Sequence, residues 1–467
     1  MKPKKVLVIF AFFILHFIFF IQLSAADTWV KTYQPFGDEV DYFVEDIRVC
    51  PDEGYAVIGS IWNSEFSTNN GFLMKTDIDG NLLWASIDTV SFVSGPEPAG
   101  FVVLDDGSFI TAGNNFWFGG RYFLKRSPDG IIEWTVELDN NHGVEAIELT
   151  NEGNLITTAG SMDGSINLQK FDLEGNLIWR RNYLPNGFDY GSGLSVTQTL
   201  DGGYALTGVV NGPNNWDILV IKTDENGDSL WTWTYNGTAN YSDKGNCIIE
   251  NSENELLVGA YISNCDYRDY FGYLIKMNTI GDTIWAQKIT GTTSILSLIQ
   301  IQDSEYLLRC NNNITKIQDN HEIIWQVPSL VDLNASGDRT IWELPDRSIL
   351  YLGKQYWSEY ISLVKCDSTG QLPIDENHMQ LLSNLRCYPN PLNREAKIYY
   401  NLPNSANVGI KIYNVKGQLV EPLLHGQKLA GEHTLIWNAQ GYPSGVYFIK
   451  LVINNRIEKV KKILVIQ

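Results

Sequence analysis

The stretch Lys75-Thr-Asp-Ile-Asp-Gly-Asn-Leu-Leu-Trp84 decides how most of this chain folds. An apolar run precedes the lysine, and Asp77-x-x-Gly80 predicts a tight turn in which the glycine takes a positive φ. A second apolar–polar alternation then leads through the tryptophan. The stretch is therefore predicted to be a β-hairpin, with the lysine on one strand and the tryptophan on the other.

The hairpin returns at intervals of 40 to 54 residues, and the spacing between lysine and tryptophan never changes. Complete copies span residues 125–134, 170–179, 222–231 and 276–285. Residues 316–325 form a degraded copy with His321 in the glycine position, and a truncated copy, 365–370, has Ile374 in the tryptophan position. A motif repeated so often predicts a structural role, with each tryptophan packed between neighbouring repeats. These tryptophans are Trp29, Trp84, Trp134, Trp179, Trp231, Trp285 and Trp325.

A second hairpin lies midway between successive motifs. Its seven copies span residues 47–59, 101–113, 146–160, 194–208, 248–259, 296–310 and 340–353. Each repeat therefore supplies four short strands and no helix, at a period typical of propeller blades. The predicted fold class is all-β, a β-propeller that avoids long open edges by radial repetition.

The ends of the repeat series complement each other. Seven lysine strands accompany the seven middle hairpins, but Trp29 precedes the first lysine strand and no tryptophan strand follows the last. We predict that residues 29–33 pair with residues 361–367 and close a seven-bladed ring.

Composition divides the chain into four segments. Residues 1–26 are predicted to be a signal peptide, with lysines, an apolar run over 6–23 and a small-residue cleavage site; an uncleaved anchor is the alternative. The propeller occupies 27–372, a polar linker 373–384 and a β-sandwich 385–467. No other stretch is apolar enough to span a bilayer, so we expect an exported protein without a transmembrane span after signal cleavage.

Charge is distributed unevenly among these segments. The net charge of −20 becomes −23 without the three signal-peptide lysines. Residues 385–467 carry 11 Lys and Arg against 4 Glu, a balance of +7, and the linker carries −2, which leaves −28 on the propeller. Such a surface repels nucleic acid and anionic lipid. A soluble secreted surface is the favoured interpretation, and a binder of cations or basic proteins is the alternative.

Neither the cysteines nor the histidines form a recognisable site. None of the six cysteines belongs to a Cys-x-x-Cys pair, and Cys310 takes the place of a hairpin glycine, so we predict mostly free, buried thiols. His142 is the only histidine in a variable propeller loop. No catalytic motif is present, and we predict no catalytic residue, metal or cofactor. Carboxylates brought together from different blades would leave no sequence signature, so a glycosidase stays possible.

Connectivity predicts two unlike faces. In four-stranded antiparallel blades alternate connections emerge on opposite faces, so the two kinds of short turn share one face and the variable connections share the other. Variable loops on a rigid scaffold commonly carry function. Aromatic side chains there would suit a glycan or protein ligand, or each would cover its own blade. The candidate ligand-binding aromatics are Trp62, Phe116, Trp117, Trp216, Tyr267, Tyr270, Tyr356 and Trp357.

The Asp-Gly-Trp spacing of the hairpin resembles the tryptophan-docking repeat of quinoprotein propellers. The resemblance covers only the turn and the tryptophan, and quinoproteins generally have eight blades and further cofactor contacts. It therefore implies blade packing of that kind, and no redox chemistry.

The C-terminal segment alternates strands with Pro, Asn and Gly. Its distinctive residues are Tyr388, Pro389, Asn390, Pro391, Gly417, Gly445, Tyr447, Lys461 and Lys462. The series resembles the type A C-terminal sorting domain of the type IX secretion system and the related immunoglobulin-like domain of flagellar hook-capping proteins. The resemblance implies that residues 385–467 engage the outer-membrane secretion machinery, and that the protein is secreted or displayed on the surface of a Gram-negative bacterium.

Three functions are compatible with this organisation. The favoured one is a non-catalytic binding module at the cell surface, with a glycan or a protein as ligand. A secreted polysaccharide lyase or glycosidase and a structural envelope component are the alternatives. The lack of a catalytic motif favours the binding module over an enzyme.

Overall fold

The computed structural model of the chain describes seventeen segments. They are residues 28–37, 40–63, 68–88, 96–114, 120–139, 141–212, 215–237, 242–263, 270–302, 304–311, 313–328, 340–353, 360–371, 385–402, 405–429, 431–454 and 456–466. The predicted signal peptide and linker lie outside the described residues. Every regular element within them is a β-strand.

The strands of the first 371 residues form seven four-stranded antiparallel sheets, the blades of a propeller. Blade 1 contains β2 (Asp41–Val49), β3 (Tyr55–Asn63), β4 (Thr68–Thr76) and β5 (Leu82–Ile87); blade 2 contains β6 (Glu97–Val103), β7 (Phe109–Asn114), β8 (Arg121–Arg126) and β9 (Ile132–Leu138); and blade 3 contains β10 (Ala146–Leu149), β11 (Leu155–Gly160), β12 (Ile166–Phe171) and β13 (Leu177–Tyr183). Blade 4 contains β14 (Tyr190–Gln198), β15 (Tyr204–Asn211), β16 (Trp216–Thr223) and β17 (Ser229–Tyr235); and blade 5 contains β18 (Lys244–Glu250), β19 (Leu256–Ser263), β20 (Tyr270–Met277) and β21 (Thr283–Lys288). Blade 6 contains β22 (Ile295–Gln302), β23 (Glu305–Cys310), β24 (Asn313–Gln318) and β25 (Ile323–Pro328); and blade 7 contains β26 (Ile341–Glu343), β27 (Ile349–Gly353), β28 (Ile361–Cys366) and β1 (Trp29–Tyr33).

The predicted closure of the ring is confirmed. Strand β1 supplies the outer strand of blade 7 and pairs antiparallel with β28, from Trp29 opposite Lys365 to Tyr33 opposite Ile361. The first strands of successive blades lie side by side around the centre, and β2 also contacts blade 7. The predicted seven-bladed, all-β propeller is therefore the observed fold.

The C-terminal strands form two further sheets, as expected for a small β-sandwich. They are β29 (Leu385–Tyr388), β30 (Glu395–Leu402), β31 (Ala406–Asn414), β32 (Leu419–Lys428), β33 (Gly431–Asn438), β34 (Gly445–Ile453) and β35 (Arg456–Val465). One sheet has the order β29-β30-β33 and the other β32-β31-β34-β35. Their facing apolar side chains enclose a single core around the fully buried Trp437.

The constant spacing between lysine and tryptophan has a geometric cause. In blade 1, Lys75 of β4 lies directly opposite Trp84 of β5, and a bulge follows between Lys75 and Thr76. The same opposed pair and bulge occur in blades 2 to 6. An insertion between the two residues would shift the register and turn the tryptophan to the other side of the sheet.

Each outer-strand tryptophan lies between blades. A methyl group at Gly130 of blade 2 would lie 2.6 Å from the ring of Trp84 in blade 1. The indole Nε1 of Trp84 also donates a hydrogen bond to the Pro128 carbonyl at 3.1 Å. Equivalent contacts join Trp29 to Gly80, Trp179 to Gly227, Trp231 to Gly281 and Trp325 to Gly370. The tryptophan of one blade therefore docks on the turn glycine of the next.

Two blades vary this docking. His321 replaces the turn glycine of blade 6 and takes the same left-handed conformation, with φ of 61°. Its ring packs against Trp285 with 5.3 Å between ring centroids. At Gly175 of blade 3, the nearest side chains are Phe123 and Val136 of blade 2. Contact between one blade and the turn of the next is thus kept at both of these junctions.

The repeated lysines join the two kinds of turn. Lys75 is buried, and its ammonium group lies 2.8 Å from the carboxylate of Asp52, a residue of the middle-hairpin turn. Asp77, in the turn that follows Lys75, accepts a hydrogen bond from the Asn81 amide of its own turn. Lys222 meets Asp201 in the same way at 2.8 Å. Both kinds of turn consequently lie on one face of the ring, which we call the turn face.

The five described cysteines are buried thiols, as predicted: Cys50, Cys247, Cys310, Cys366 and Cys387. None of them forms a disulfide with another of the five. Burial raises the pKa of Cys310 to about 12, so this thiol stays protonated and unreactive at neutral pH. Cys265 lies outside the described residues.

The docking contact can be tested with two alanine substitutions that differ in one respect. Gly130 and Gly202 have almost the same backbone conformation, with φ of +82° and +84°, but no atom lies within 4 Å of a methyl group placed at Gly202. We expect Gly202→Ala to lower the free energy of unfolding by about 1–2 kcal/mol from backbone strain alone. Gly130→Ala should cost about 1–3 kcal/mol more, because the methyl group meets the Trp84 ring.

Chemical denaturation of the single variants and of Trp84→Ala/Gly130→Ala measures these effects. In the Trp84→Ala background, Gly130→Ala should cost no more than Gly202→Ala does in the wild type. An unchanged cost of Gly130→Ala in that background would contradict the docking contact.

Candidate ligand-binding face

The face opposite the turn face carries the longer connections, and we call it the variable face. A cavity of about 840 Å³ opens there between blades 4 and 5. It is lined by Tyr190, Ser192, Leu194, Val209, Asn211, Asn215, Trp216, Ser242, Asp243, Lys244, Tyr261, Ser263 and Tyr270. Most of these residues lie at strand ends, where each strand enters or leaves the variable face. The volume of the cavity is in the usual range for sites that bind small molecules.

Two pairs of aromatic rings form walls of the cavity. Tyr190 and Trp216 of blade 4 pack edge to face, with 5.6 Å between ring centroids. Tyr261 and Tyr270 of blade 5 pack in the same way at 5.5 Å. Edge-to-face packing stabilises each pair and holds the rings in defined orientations.

Two of the aromatic residues selected from the sequence, Trp216 and Tyr270, thus line one cavity. Trp62, at the end of β3 in blade 1, is half-buried and does not line it. The other five selected residues, Phe116, Trp117, Tyr267, Tyr356 and Trp357, lie outside the described residues.

Sequence reasoning missed Tyr190 and Tyr261 because both lie on strands rather than in loops. The order of the strands within a blade could have identified both residues. Tyr190 begins the inner strand of blade 4, and Tyr261 lies two residues before the end of the second strand of blade 5. Both strand ends belong to the variable face in any propeller with this connectivity.

Asp243 fixes the backbone around the cavity. Its carboxylate accepts hydrogen bonds from the amides of Gly237 at 2.6 Å and Ser263 at 3.0 Å. Its own amide donates to the Trp216 carbonyl at 2.7 Å. Burial raises the pKa of Asp243, and the two amide hydrogen bonds offset part of that rise. The residue therefore positions the segments that carry Trp216 and the end of β19.

A second carboxylate lies beside this one without lining the cavity. Asp217 is buried, and its Oδ1 atom makes no hydrogen bond with the described part of the chain. Burial, and then the nearby charge of Asp243, raises the pKa of Asp217 to about 6. Ionised Asp217 is consequently a source of strain in the folded protein at neutral pH.

The cation of the cavity has a counter-charge. Burial lowers the pKa of Lys244, and the Glu145 carboxylate of blade 3 offsets part of that change. Burial likewise raises the pKa of Glu145, with Lys244 and then Arg121 acting in the opposite direction. Lys244 and Glu145 therefore partly balance each other at the inner ends of their blades.

The described residues offer no evident metal centre. Within them, no group of three His, Cys, Asp or Glu side chains could hold a metal ion. The Nδ1 atom of His142 lies 3.2 Å from Asp139, whose same oxygen binds Arg180 at 3.0 Å, so this histidine belongs to a small network of polar side chains. None of the described segments contains a helix long and apolar enough to cross a membrane.

The distinctive residues of the C-terminal segment converge on its last strand. The side-chain oxygen of Asn390 accepts a hydrogen bond from the Leu464 amide at 2.8 Å, and its Nδ2 atom donates to the Lys462 carbonyl at 3.3 Å. The Leu392 amide donates to the Leu464 carbonyl at 2.8 Å. The opening Tyr-Pro-Asn-Pro motif is therefore clamped to β35, which carries Lys461 and Lys462.

The remaining motif residues support the same sandwich. Gly417 takes a positive φ of 74° in the turn between β31 and β32, and Gly445 begins β34. Tyr447 is buried, and its hydroxyl donates to the Pro443 carbonyl at 2.9 Å. Tyr388 is 73% exposed, and Pro389, Asn390 and Pro391 beside it are exposed as well.

Comparison with known families assigns this segment. Residues 386–467 match the family described as the secretion system C-terminal sorting domain. The C-terminal segment is a sorting domain of this kind. The protein is accordingly secreted or displayed on the surface of a Gram-negative bacterium, as expected. Among curated protein sequences, no relative of the chain was found.

Several solved structures resemble the chain at low sequence identity. The PorZ protein, a surface component of the type-IX secretion system of Porphyromonas gingivalis, is 12% identical; the match covers 89% of this chain and 69% of PorZ, with a TM-score of 0.37. The Pan2 WD40 domain of Neurospora crassa is 9% identical over 72% of this chain and 92% of its own, with a TM-score of 0.47. The propeller of the Trilobed protease from Pyrococcus furiosus is 10% identical over 72% and 97%, with a TM-score of 0.42.

The strain at Asp217 predicts an unusual dependence of stability on pH. Because its folded-state pKa of about 6 exceeds the ordinary value near 4, the folded protein binds this proton more tightly than the unfolded chain. The contribution of Asp217 to stability should therefore fall as pH rises from about 4 to about 7. Asp217→Asn should raise the melting temperature at about pH 8 and change it little at about pH 4.

Asp201→Asn is a control variant that we expect to change the melting temperature in the opposite direction. Burial alone would raise the pKa of Asp201, but hydrogen bonds from Lys222 and Thr199 outweigh burial and lower it. Asp201→Asn should consequently lower the melting temperature at about pH 8, and less so at about pH 3. Equal effects of Asp217→Asn at both pH values in thermal unfolding would contradict the assignment of strain to the ionised carboxylate.

Proposed function

We propose that the protein is a secreted or cell-surface binding module whose ligand, a glycan or a protein, occupies the cavity between blades 4 and 5. The observation that carries this proposal is the pairing of two edge-to-face aromatic walls, Tyr190–Trp216 and Tyr261–Tyr270, around one cavity of about 840 Å³. The sorting domain supplies the route of export through machinery related to the type IX secretion system, and the propeller supplies the function outside the cell.

The position of the cavity supports a binding role. It lies on the variable face, while the turn face is occupied by the docking tryptophans and the lysine–carboxylate contacts that hold the ring together. Functional residues often lie on connections that a rigid scaffold presents, because changes there do not disturb the core. Exposed aromatic clusters are likewise typical of recognition sites.

The carboxylates favour binding over hydrolysis. Glycosidases need two carboxyl groups that flank the bond to be cleaved. Both oxygens of Asp243 already accept backbone hydrogen bonds, and Asp217 does not line the cavity. Among the described residues, the cavity is thus lined by one carboxylate, which holds the backbone in place. No second lining carboxylate is described that could act with it in hydrolysis.

A binding screen tests the proposal on the mature chain, residues 27–467. Immobilised polysaccharides and glycoproteins serve as probes, and released reducing ends are measured in the same wells. We expect retention on at least one probe without release of reducing ends. Trp216→Ala should weaken retention by about tenfold or more, as expected for removal of a central aromatic contact.

Trp84→Ala is the matched control, because it removes a tryptophan of equal size from the turn face of blade 1 and leaves the cavity intact. This variant should be less stable than the wild type yet bind equally well below its melting temperature. Release of reducing ends would establish the lyase or glycosidase alternative. Absence of retention on every probe would overturn the binding role and favour a structural envelope component.

A further inference from the structure

The geometry of the cavity points to one class of ligand, and we propose that it takes an uncharged carbohydrate segment built of pyranose rings. This inference rests on the proposed binding role and specifies the chemistry of the ligand. It is carried by three properties of the lining, namely its aromatic walls, its hydrogen-bonded carboxylate and a buried amide donor without an acceptor.

The aromatic walls match the shape of a sugar ring. A pyranose presents C–H groups on its flat faces and hydroxyl groups around its edge. The half-buried Trp216 and Tyr270 and the 40% exposed Tyr190 offer flat apolar surfaces to such faces. Because each ring is held edge to face by a neighbour, these surfaces are preorganised, and little side-chain freedom is lost on binding.

The one carboxylate of the lining, that of Asp243, is already engaged. Asp243 accepts hydrogen bonds from the Gly237 and Ser263 amides, so both carboxylate oxygens have partners. A cationic ligand would therefore find no free carboxylate in this lining. Burial disfavours the charged form of Lys244, the one cation of the lining, and lowers its pKa, while the Glu145 carboxylate offsets part of that change.

The polar lining that remains is uncharged and suits hydroxyl groups. It consists of Asn211, Asn215 and the serines Ser192, Ser242 and Ser263. Amide and hydroxyl side chains both donate and accept hydrogen bonds, as sugar hydroxyls do. The Nδ2 atom of Asn215 is buried and makes no hydrogen bond with the described part of the chain. A buried donor without an acceptor is costly, and a sugar hydroxyl oxygen that met this amide after rotation of the side chain toward the cavity would relieve that cost.

The charge of the whole propeller disfavours acidic polysaccharides. Residues 27–372 carry a net charge of about −28, which repels polyanions such as uronate polymers. A polyanion that did bind would do so through ionic contacts weakened by salt. Binding of an uncharged carbohydrate should instead be nearly independent of ionic strength, which gives the two ligand classes different signatures.

Titration of the mature chain, residues 27–467, with defined ligands tests this inference. The probes are neutral xylo-, cello-, manno- and chito-oligosaccharides, an oligogalacturonate, and an acidic and a basic peptide, each at about 0.05 M and about 0.5 M NaCl. We expect at least one neutral oligosaccharide to bind, with less than about a twofold change in Kd between the two salt concentrations. The oligogalacturonate and both peptides should bind at least about tenfold more weakly.

Substitutions locate the binding and separate it from general destabilisation. Asn215→Ala should weaken neutral-oligosaccharide binding by roughly three- to tenfold, the range for loss of one uncharged hydrogen bond. Trp216→Ala should weaken it by about tenfold or more. Asn226→Ala, an exposed asparagine in a turn of the same blade on the opposite face, should leave the affinity unchanged.

The outcomes distinguish this inference from the binding role on which it rests. Binding of the oligogalacturonate or a peptide in place of every neutral sugar, sensitive to Trp216→Ala, would overturn the ligand class and leave the binding module standing. Neutral-sugar binding indifferent to both cavity substitutions would overturn the assignment to this cavity. Failure of every probe to bind would overturn both proposals.

Discussion

The contact between an outer-strand tryptophan and the turn glycine of the next blade is the constraint on which the ring depends. At the blade 1–blade 2 junction the indole lies so close to Gly130 that a methyl group could not be accommodated, and its Nε1 atom binds the Pro128 carbonyl. At this junction the contact requires a glycine in a left-handed conformation and a tryptophan at one register position. The hairpin motif is therefore the local expression of packing between blades.

Packing between blades also explains how apolar residues are distributed. All but one of the buried clusters among the described propeller residues combine two neighbouring blades, for example Ile156 of blade 3 with Leu219 of blade 4. No blade could bury both of its faces alone, so each contributes half of two cores. The half-buried tryptophans cover the outer edges of these cores on the side of the turn face. The variable face takes no part in that contact and is free to differ from blade to blade.

The division between faces accounts for how much could be predicted from the sequence. Blade number, ring closure by residues 29–33 and the burial of Cys310 follow from a repeat whose spacing is set by hydrogen-bonded register. The ion-pair partner of Lys75 could not be predicted from the sequence, because Asp52 belongs to a different hairpin and comes close to the lysine only when the blade folds. Sequence spacing reports contacts within a hairpin far better than contacts between hairpins.

For the same reason, only part of the candidate site could be predicted from the sequence. Trp216 and Tyr270 could be selected as aromatics near variable connections, but they are 54 residues apart, and nothing local indicates that they share a cavity. The positioning role of Asp243 depends on amides from two other segments. The sorting domain was easier to recognise, since its motif residues all lie within residues 386–467, and its opening motif is hydrogen-bonded to the last strand.

Calorimetric unfolding of a chain that begins at residue 34, compared with one that begins at residue 27, tests the docking account most directly. Loss of β1 leaves blade 7 without its outer strand and removes the contacts of Trp29 with Gly80 and of the Tyr33 hydroxyl with the Gly80 carbonyl. The account predicts that the melting temperature of the propeller falls by about 10 °C or more, since several kcal/mol of packing between blades is lost. A melting temperature within about 2 °C of the longer chain would contradict the claim that tryptophan docking and ring closure hold the propeller together.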